Sequence, residues 1–299
     1  MKPLNLLIAL CCLAGSALAA PASAPASYVL ENTEVRDIRA QALKRDYQLY
    51  VALPDSYRQG NKRYPVLFVT DANYAFPVVR NIAQRLNKHA GMEEVIVVGL
   101  SYANGDGGVY SRRRDYTPTT PRKHDYRSDM PGRQPAFGEA KAYGQFISGV
   151  VFPFIASNYR VNMQRMFLGH SYGALLGTQV LLERPQLFSG YILGSPSLWY
   201  DAGLMFDREQ AYAASHKDLP ASVFFGIGGL EKLPAGKKRS RLEEEADMLA
   251  DLREFDGKLK SRKFPGLKTR LRVFEDEDHA SVFPFVLTHG LRAYLTSAK

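Results

Sequence analysis

The five residues Gly169-His170-Ser171-Tyr172-Gly173 constrain this chain more than any other stretch. They follow the short apolar run Met166-Phe167-Leu168 and precede residues 174–182, a run apolar enough for a buried helix. A serine flanked at two residues' distance by glycine, between a strand and a helix, marks a very tight strand-to-helix turn. Side chains at the two glycine positions would collide with neighbouring backbone. The turn lifts the serine hydroxyl out of the sheet edge and aims nearby backbone N–H groups at the same spot. Such a turn needs a sheet beneath it and a helix behind it.

The rest of the chain supplies both. Tyr47 to Leu53 alternates apolar and polar residues, as an early antiparallel strand does. Val66 to Thr70 and Val95 to Leu100 are continuous apolar runs, the pattern of strands covered on both faces. Helices are expected over residues 76–89 and 138–158, and strands at 189–194, 222–227 and 270–275. Residues 239–262 read as a charged helix with Leu242, Met248, Leu249 and Leu252 on one buried face. A last helix is expected over residues 282–296. Between the strand ending at Leu100 and Pro135 lies a polar stretch rich in glycine, arginine and proline, read as a long functional or mobile loop. Strands alternating with helices imply an α/β fold: a mostly parallel central sheet with helices on both faces, in one domain over residues 28–299.

The N-terminus reads as a leader. One charge at Lys2, an apolar run from Leu4 to Leu13 and the small-residue site Ala17-Leu18-Ala19 make a secretory signal peptide. Cleavage is expected after Ala19, with residues 20–27 a Pro/Ala/Ser linker. The expectation is an exported, periplasmic protein without a lipid or membrane anchor. Both cysteines, Cys11 and Cys12, fall in the leader. The mature chain therefore has no disulfide, no thiol nucleophile and no cysteine-based metal site. The formal net charge of +9 favours an anionic ligand. Nucleic acid is not that ligand, because the chain is exported and carries no recognition module.

A serine nucleophile needs a base, and usually a carboxylate to orient the base. In the chain order serine, acid, histidine, three histidines follow Ser171: His216, His279 and His289. His279 lies just past the last expected strand and before the final helix, where the base belongs. His289 sits inside that helix. Glu231 ends the strand before it and is the first choice of acid. Asp276 and Asp278 are too close to His279 in sequence to be preferred, and a Ser-His dyad without acid is the alternative. The N–H of Tyr172, the residue after the serine, is one expected oxyanion donor; the second comes from Thr70-Asp71-Ala72-Asn73, with Ala72 the choice. This chemistry calls for no cofactor and no metal.

Several segments in order, Pro65–Asn73, Arg112–Pro118, Phe154–Val161, the turn itself, Gly194–Trp199 and Asp278–Val282, resemble the putative-esterase (esterase D-like) family of α/β-hydrolases. More narrowly, they resemble the siderophore esterases that open enterobactin-type trilactones, over nearly all of the mature chain. The resemblance implies the α/β-hydrolase fold, with Ser171 as nucleophile, His279 as base, Glu231 as acid, and Ala72 and Tyr172 as oxyanion donors. It also implies that Arg112 and Trp199 line the substrate site; Arg114 and Tyr116 are further substrate-binding candidates. Trp199 and Tyr116 suit core packing equally. Two departures stand out: Ala72 replaces the family's glycine, and Tyr172 replaces a smaller neighbour. The implied substrate is an anionic catecholate siderophore, with or without iron. Arginines bind such oxygens bidentately and stack on such rings; Arg112, Arg113, Arg114, Arg122 and Lys123 are the candidates. A general or feruloyl-type carboxylesterase, and a siderophore-binding protein without catalysis, are the rival readings.

Overall fold

Apolar residues alternate faces along the inner strands, and that alternation builds two cores on one sheet. In a computed structural model, residues 27–122, 126–234, 236–237 and 247–296 are described. The leader at 1–19, Lys123 and Leu242 lie outside them. The chain divides into two units, Met1–Glu31 and Asn32–Lys299. The first is described only from residue 27, and the second carries every element that follows.

The strands are β1 (Thr33–Ala40), β2 (Arg45–Ala52), β3 (Tyr64–Val69), β4 (Ile96–Leu100), β5 (Val161–His170), β6 (Gly190–Gly194), β7 (Ser222–Gly228) and β8 (Lys268–Phe274). The helices are α1 (Ala72–Ala90), α2 (Gly108–Tyr116), α3 (Ala140–Phe146), α4 (Phe152–Asn158), α5 (Tyr172–Glu183), α6 (Tyr200–Ser215), α7 (Met248–Ser261) and α8 (Phe283–Leu295). The sheet order is β1-β2-β4-β3-β5-β6-β7-β8. β1 and β2 are antiparallel to their neighbours, and β4 through β8 run parallel. The α/β-hydrolase architecture expected from the sequence is present.

Side chains in a strand point alternately to opposite faces. Val66, Phe68, Phe167, Tyr191, Leu193 and Phe225 face one core, with α3 to α7. Leu67, Val69, Met166, Leu168, Ile192 and Phe224 face the other, against α1 and α8. Strands covered on both sides have no polar positions to spare, which is why they read as unbroken apolar runs.

The sequence reading differs from this fold in four places. The stretch after Leu100 is not one loop: α2 occupies Gly108–Tyr116 within it. Its helical face is not apolar; buried ion pairs hold it in place. The expected helix over 138–158 is α3 and α4 joined by a π turn at Ile147–Val151. The strand β1 and the helix α6 had no counterpart, and Asp201, Ala202 and Gly203 near the start of α6 are left-handed.

Candidate active site

Four consecutive parallel strands, β5 to β8, each deliver one element of the site at their C-terminal ends. Ser171 sits between β5 and α5, with φ 58° and ψ −120°. A Cβ at Gly169 would strike the backbone of Gly173, and one at Gly173 would strike the Thr70 side chain. The turn is therefore closed to any residue but glycine at both positions. The Ser171 N–H donates to the Gly194 carbonyl of β6 at 2.9 Å, and the Ser195 N–H to Gly226 of β7 at 2.8 Å.

Glu231 follows β7, and His279 lies in the turn between β8 and α8. His279 Nδ1 is 2.7 Å from Glu231 Oε2. The other carboxylate oxygen, Oε1, accepts from Ser195 Oγ at 2.6 Å and from the Gly228 N–H at 2.9 Å. A neutral imidazole holding its Nδ1 proton on Glu231 presents Nε2 as a proton acceptor. Ser171 and His279 line the same wide-mouthed cavity, of about 560 Å³. Ser171 Oγ lies 3.4 Å from Ser197 Oγ, and among the described residues no hydrogen bond joins it to the imidazole. Such contacts tighten when substrate arrives. Asp278 turns its carboxylate to the N–H groups of Ala280 and Ser281, so it shapes the histidine's turn. Those bonds hold its pKa below the usual value. Asp276 is exposed.

Ala72 and Tyr172 are the first residues of α1 and α5. Helix starts leave backbone donors without an intrahelical partner, and β3 and β5 pair side by side in parallel. The two helix starts therefore open at the same end of the sheet. The left-handed residue of the first turn is Asp71, with φ 56°. Ala72 itself needs no glycine; its methyl packs where a side chain at Gly99 would stand. Tyr172 takes the Arg112 guanidinium over its ring, 5.4 Å from the centroid.

The structure separates the arginines that the sequence grouped. Arg112 lines the cavity and binds Asp71 through Nε–Oδ1 at 3.1 Å and Nη2–Oδ2 at 3.2 Å. Arg113 donates to the Arg127 carbonyl and stacks on Tyr126. Arg122 is exposed, 3.8 Å from Asp201. Arg114 and Tyr116, expected at the substrate site, are buried and do not line this cavity. Arg114 is buried, bonded to Asp115 at 2.8 Å and Asp106 at 2.5 Å, with its guanidinium committed away from solvent. Tyr116 is buried too, and its hydroxyl accepts the Asp71 N–H. Helical geometry puts residues 112 and 114 on different faces, so one reaches the site and the other the core. Trp199 packs on the core, its ring 6.1 Å from that of Tyr172.

The sequence reading missed Tyr74, Val78, Tyr102, Phe283 and His170 in the cavity wall. His170 was legible inside the turn motif itself. Its ring centroid is 4.6 Å from that of His279, and its Nε2 is buried without a partner. Burial, then the nearby His279 and Arg112, push its pKa from 6.5 down to about 3. A folded-state pKa below the unfolded one makes no difference above about pH 6.5, where both states are neutral. Below that, the unfolded chain binds the proton first, and stability falls by about 1.4 kcal/mol per pH unit towards pH 3. His170→Gln is expected to flatten that part of the acid slope in urea unfolding. An unchanged slope would assign it to other groups.

Residues 40–268 match the family described as Putative esterase. The chain is 28% identical over 274 residues to the ferri-bacillibactin esterase BesA of Bacillus subtilis, covering 89% of this chain and 90% of that protein. It is 27% identical over 270 residues to a siderophore enterobactin esterase of Emericella nidulans, covering 82% and 88%. Among solved structures, the BES protein from Bacillus cereus superposes with a TM-score of 0.74 at 24% identity, covering 91% of this chain and 99% of that one. A match running from β1 into β8 takes in the turn at Ser171 and the carboxylate at Glu231, and on it the chain belongs to the Putative esterase family and is a carboxylic ester hydrolase.

Proposed function

We propose that this protein hydrolyses the ester bonds of a catecholate siderophore of the enterobactin type, with Ser171, His279 and Glu231 as its catalytic residues. The Glu231–His279 contact of 2.7 Å, on a cavity shared with Ser171, carries the reading. His279 takes the Ser171 proton as Oγ bonds to the ester carbonyl carbon. The carbonyl oxygen becomes an oxyanion facing the N–H groups of Ala72 and Tyr172. His279 returns the proton to the leaving alkoxide, and an acyl-enzyme remains. Water then attacks the acyl carbon with its proton passing to His279, and Ser171 leaves as the free hydroxyl. Opening a cyclic triester loosens the preorganisation of its iron-binding arms and weakens their hold on the metal.

The substrate class rests on the relatives that are named for siderophore esters and on the cavity wall. Tyr74, Tyr102 and Phe283 offer ring faces, and Arg112 sits among them. Because Asp71 already pairs with Arg112, the rings carry more of this recognition than the sequence implied. Read as a leader, residues 1–19 support export, and the exported protein is expected to begin at Ala20 on N-terminal sequencing.

The test is hydrolysis of ferric and iron-free enterobactin beside p-nitrophenyl butyrate, by wild type and Ser171→Ala. Ser171-dependent opening of the trilactone, faster than the small ester, is expected. Hydrolysis of the small ester alone would leave a general carboxylesterase, and binding of the ferric complex without turnover would leave a binding protein.

A further inference from the structure

The loop Gly194–Ser197 ties the nucleophile turn to the acid. On one side it receives the Ser171 N–H and brings the Ser197 hydroxyl to Ser171. On the other, Ser195 is fixed to β7 through Gly226 and donates its hydroxyl to Glu231 Oε1. Ser195 has φ +42° and is 0% exposed. This is left-handed backbone, where a Cβ is crowded and glycine is the easy choice. A buried serine there is costlier than glycine unless its side chain does something glycine cannot. Among the described residues its hydroxyl has one partner, the carboxylate.

Three donors converge on Glu231, whose side chain is only 3% exposed. Ser195 Oγ and the Gly228 N–H hold Oε1, which leaves Oε2 for His279. These donors fix the plane of the carboxylate, and hence the direction from which the imidazole is held.

We propose that Ser195 is a positioning residue: from its left-handed turn it holds Glu231 Oε1 so that Oε2 stays aimed at His279, without touching substrate. The inference rests on the Ser171–His279–Glu231 reading given above. Among the described residues, titratable and charged groups near the pair include His170 on β5, whose ring is 4.6 Å from that of His279, Arg112 on α2, and Asp278, which is engaged with Ala280 and Ser281.

The experiment compares Ser195→Gly, Ser195→Ala, Glu231→Gln and the double variant S195G/E231Q, as full chains, on p-nitrophenyl butyrate. Loss of a hydrogen bond to a charged group is expected to lower kcat in Ser195→Gly by about 10- to 100-fold, with KM unchanged. The acid limb of kcat/KM is expected to move to higher pH by roughly one unit, because a carboxylate short of a donor, alone or with its histidine, binds a proton more tightly. A serine that served packing alone would leave the acid limb in place, whatever happens to the melting temperature. In the double variant the loss should be no larger than in Glu231→Gln, because both changes disable one unit.

Wild-type kcat with an unmoved acid limb in Ser195→Gly, or additive losses in the double variant, would overturn the role of Ser195 while an impaired Glu231→Gln keeps the acid. Full activity in Glu231→Gln would instead overturn the acid, and the role of Ser195 with it. Should the glycine variant be recovered unfolded, the acid limb of Ser195→Ala decides by the same criterion.

Discussion

Replacing Ser171 by alanine is expected to lower kcat by about 10⁵- to 10⁶-fold while the melting temperature stays within about 2 °C of wild type. The two halves of this expectation have separate causes. The proposed mechanism forms the acyl bond through this hydroxyl, so its loss leaves just binding and the oxyanion donors to assist water. Its contribution to stability is slight, because its one polar neighbour is the Ser197 hydroxyl at a long 3.4 Å. The turn keeps its shape through backbone bonds that alanine also makes, including the N–H to Gly194. An organophosphorus fluoride gives an independent readout by mass: one adduct on wild type and none on Ser171→Ala. Residual activity within tenfold of wild type would remove Ser171 as nucleophile.

The second large effect is on stability. Asp115→Ala is expected to cost about 3–5 kcal/mol, a drop of roughly 6–15 °C in melting temperature. Asp115 is 1% exposed and accepts from Arg114, Arg45, the Tyr47 hydroxyl and Ser111. Truncating it strands the Arg114 Nε and Nη2 donors in the interior, which costs more than the pair itself is worth. The consequence reaches the site because α2 carries Arg112 and Val109 on the cavity wall. A rise in KM should therefore accompany the fall in stability. A melting temperature within about 2 °C of wild type would mean that the cluster does not anchor α2.

Legibility followed how local the physical cause was. The turn at Ser171 is dictated by backbone crowding within five residues, so glycines in the sequence announce it. The inner strands announce themselves because two covered faces forbid polar positions. His279 and Glu231 were legible as strand-end residues in chain order. α2 was not, because its cohesion comes from Arg114, Asp106 and Asp115 rather than from an apolar stripe. Arg112, Arg113 and Arg114 are adjacent in sequence and look alike there. Helical rotation sends them to the cavity wall, to Tyr126 and into the core.

By itself the sequence determined the sheet with helices on both faces, the serine turn and the order of its partners, because each follows from periodicity or from sterics between near neighbours. Only the tertiary structure decided which cations face the cavity, that Ala72 needs no glycine because Asp71 takes the left-handed turn, and that Ser195 donates to Glu231. Those outcomes depend on where side chains from different strands and helices meet. Register and packing fix such meetings, and neither is written in any one segment of the chain.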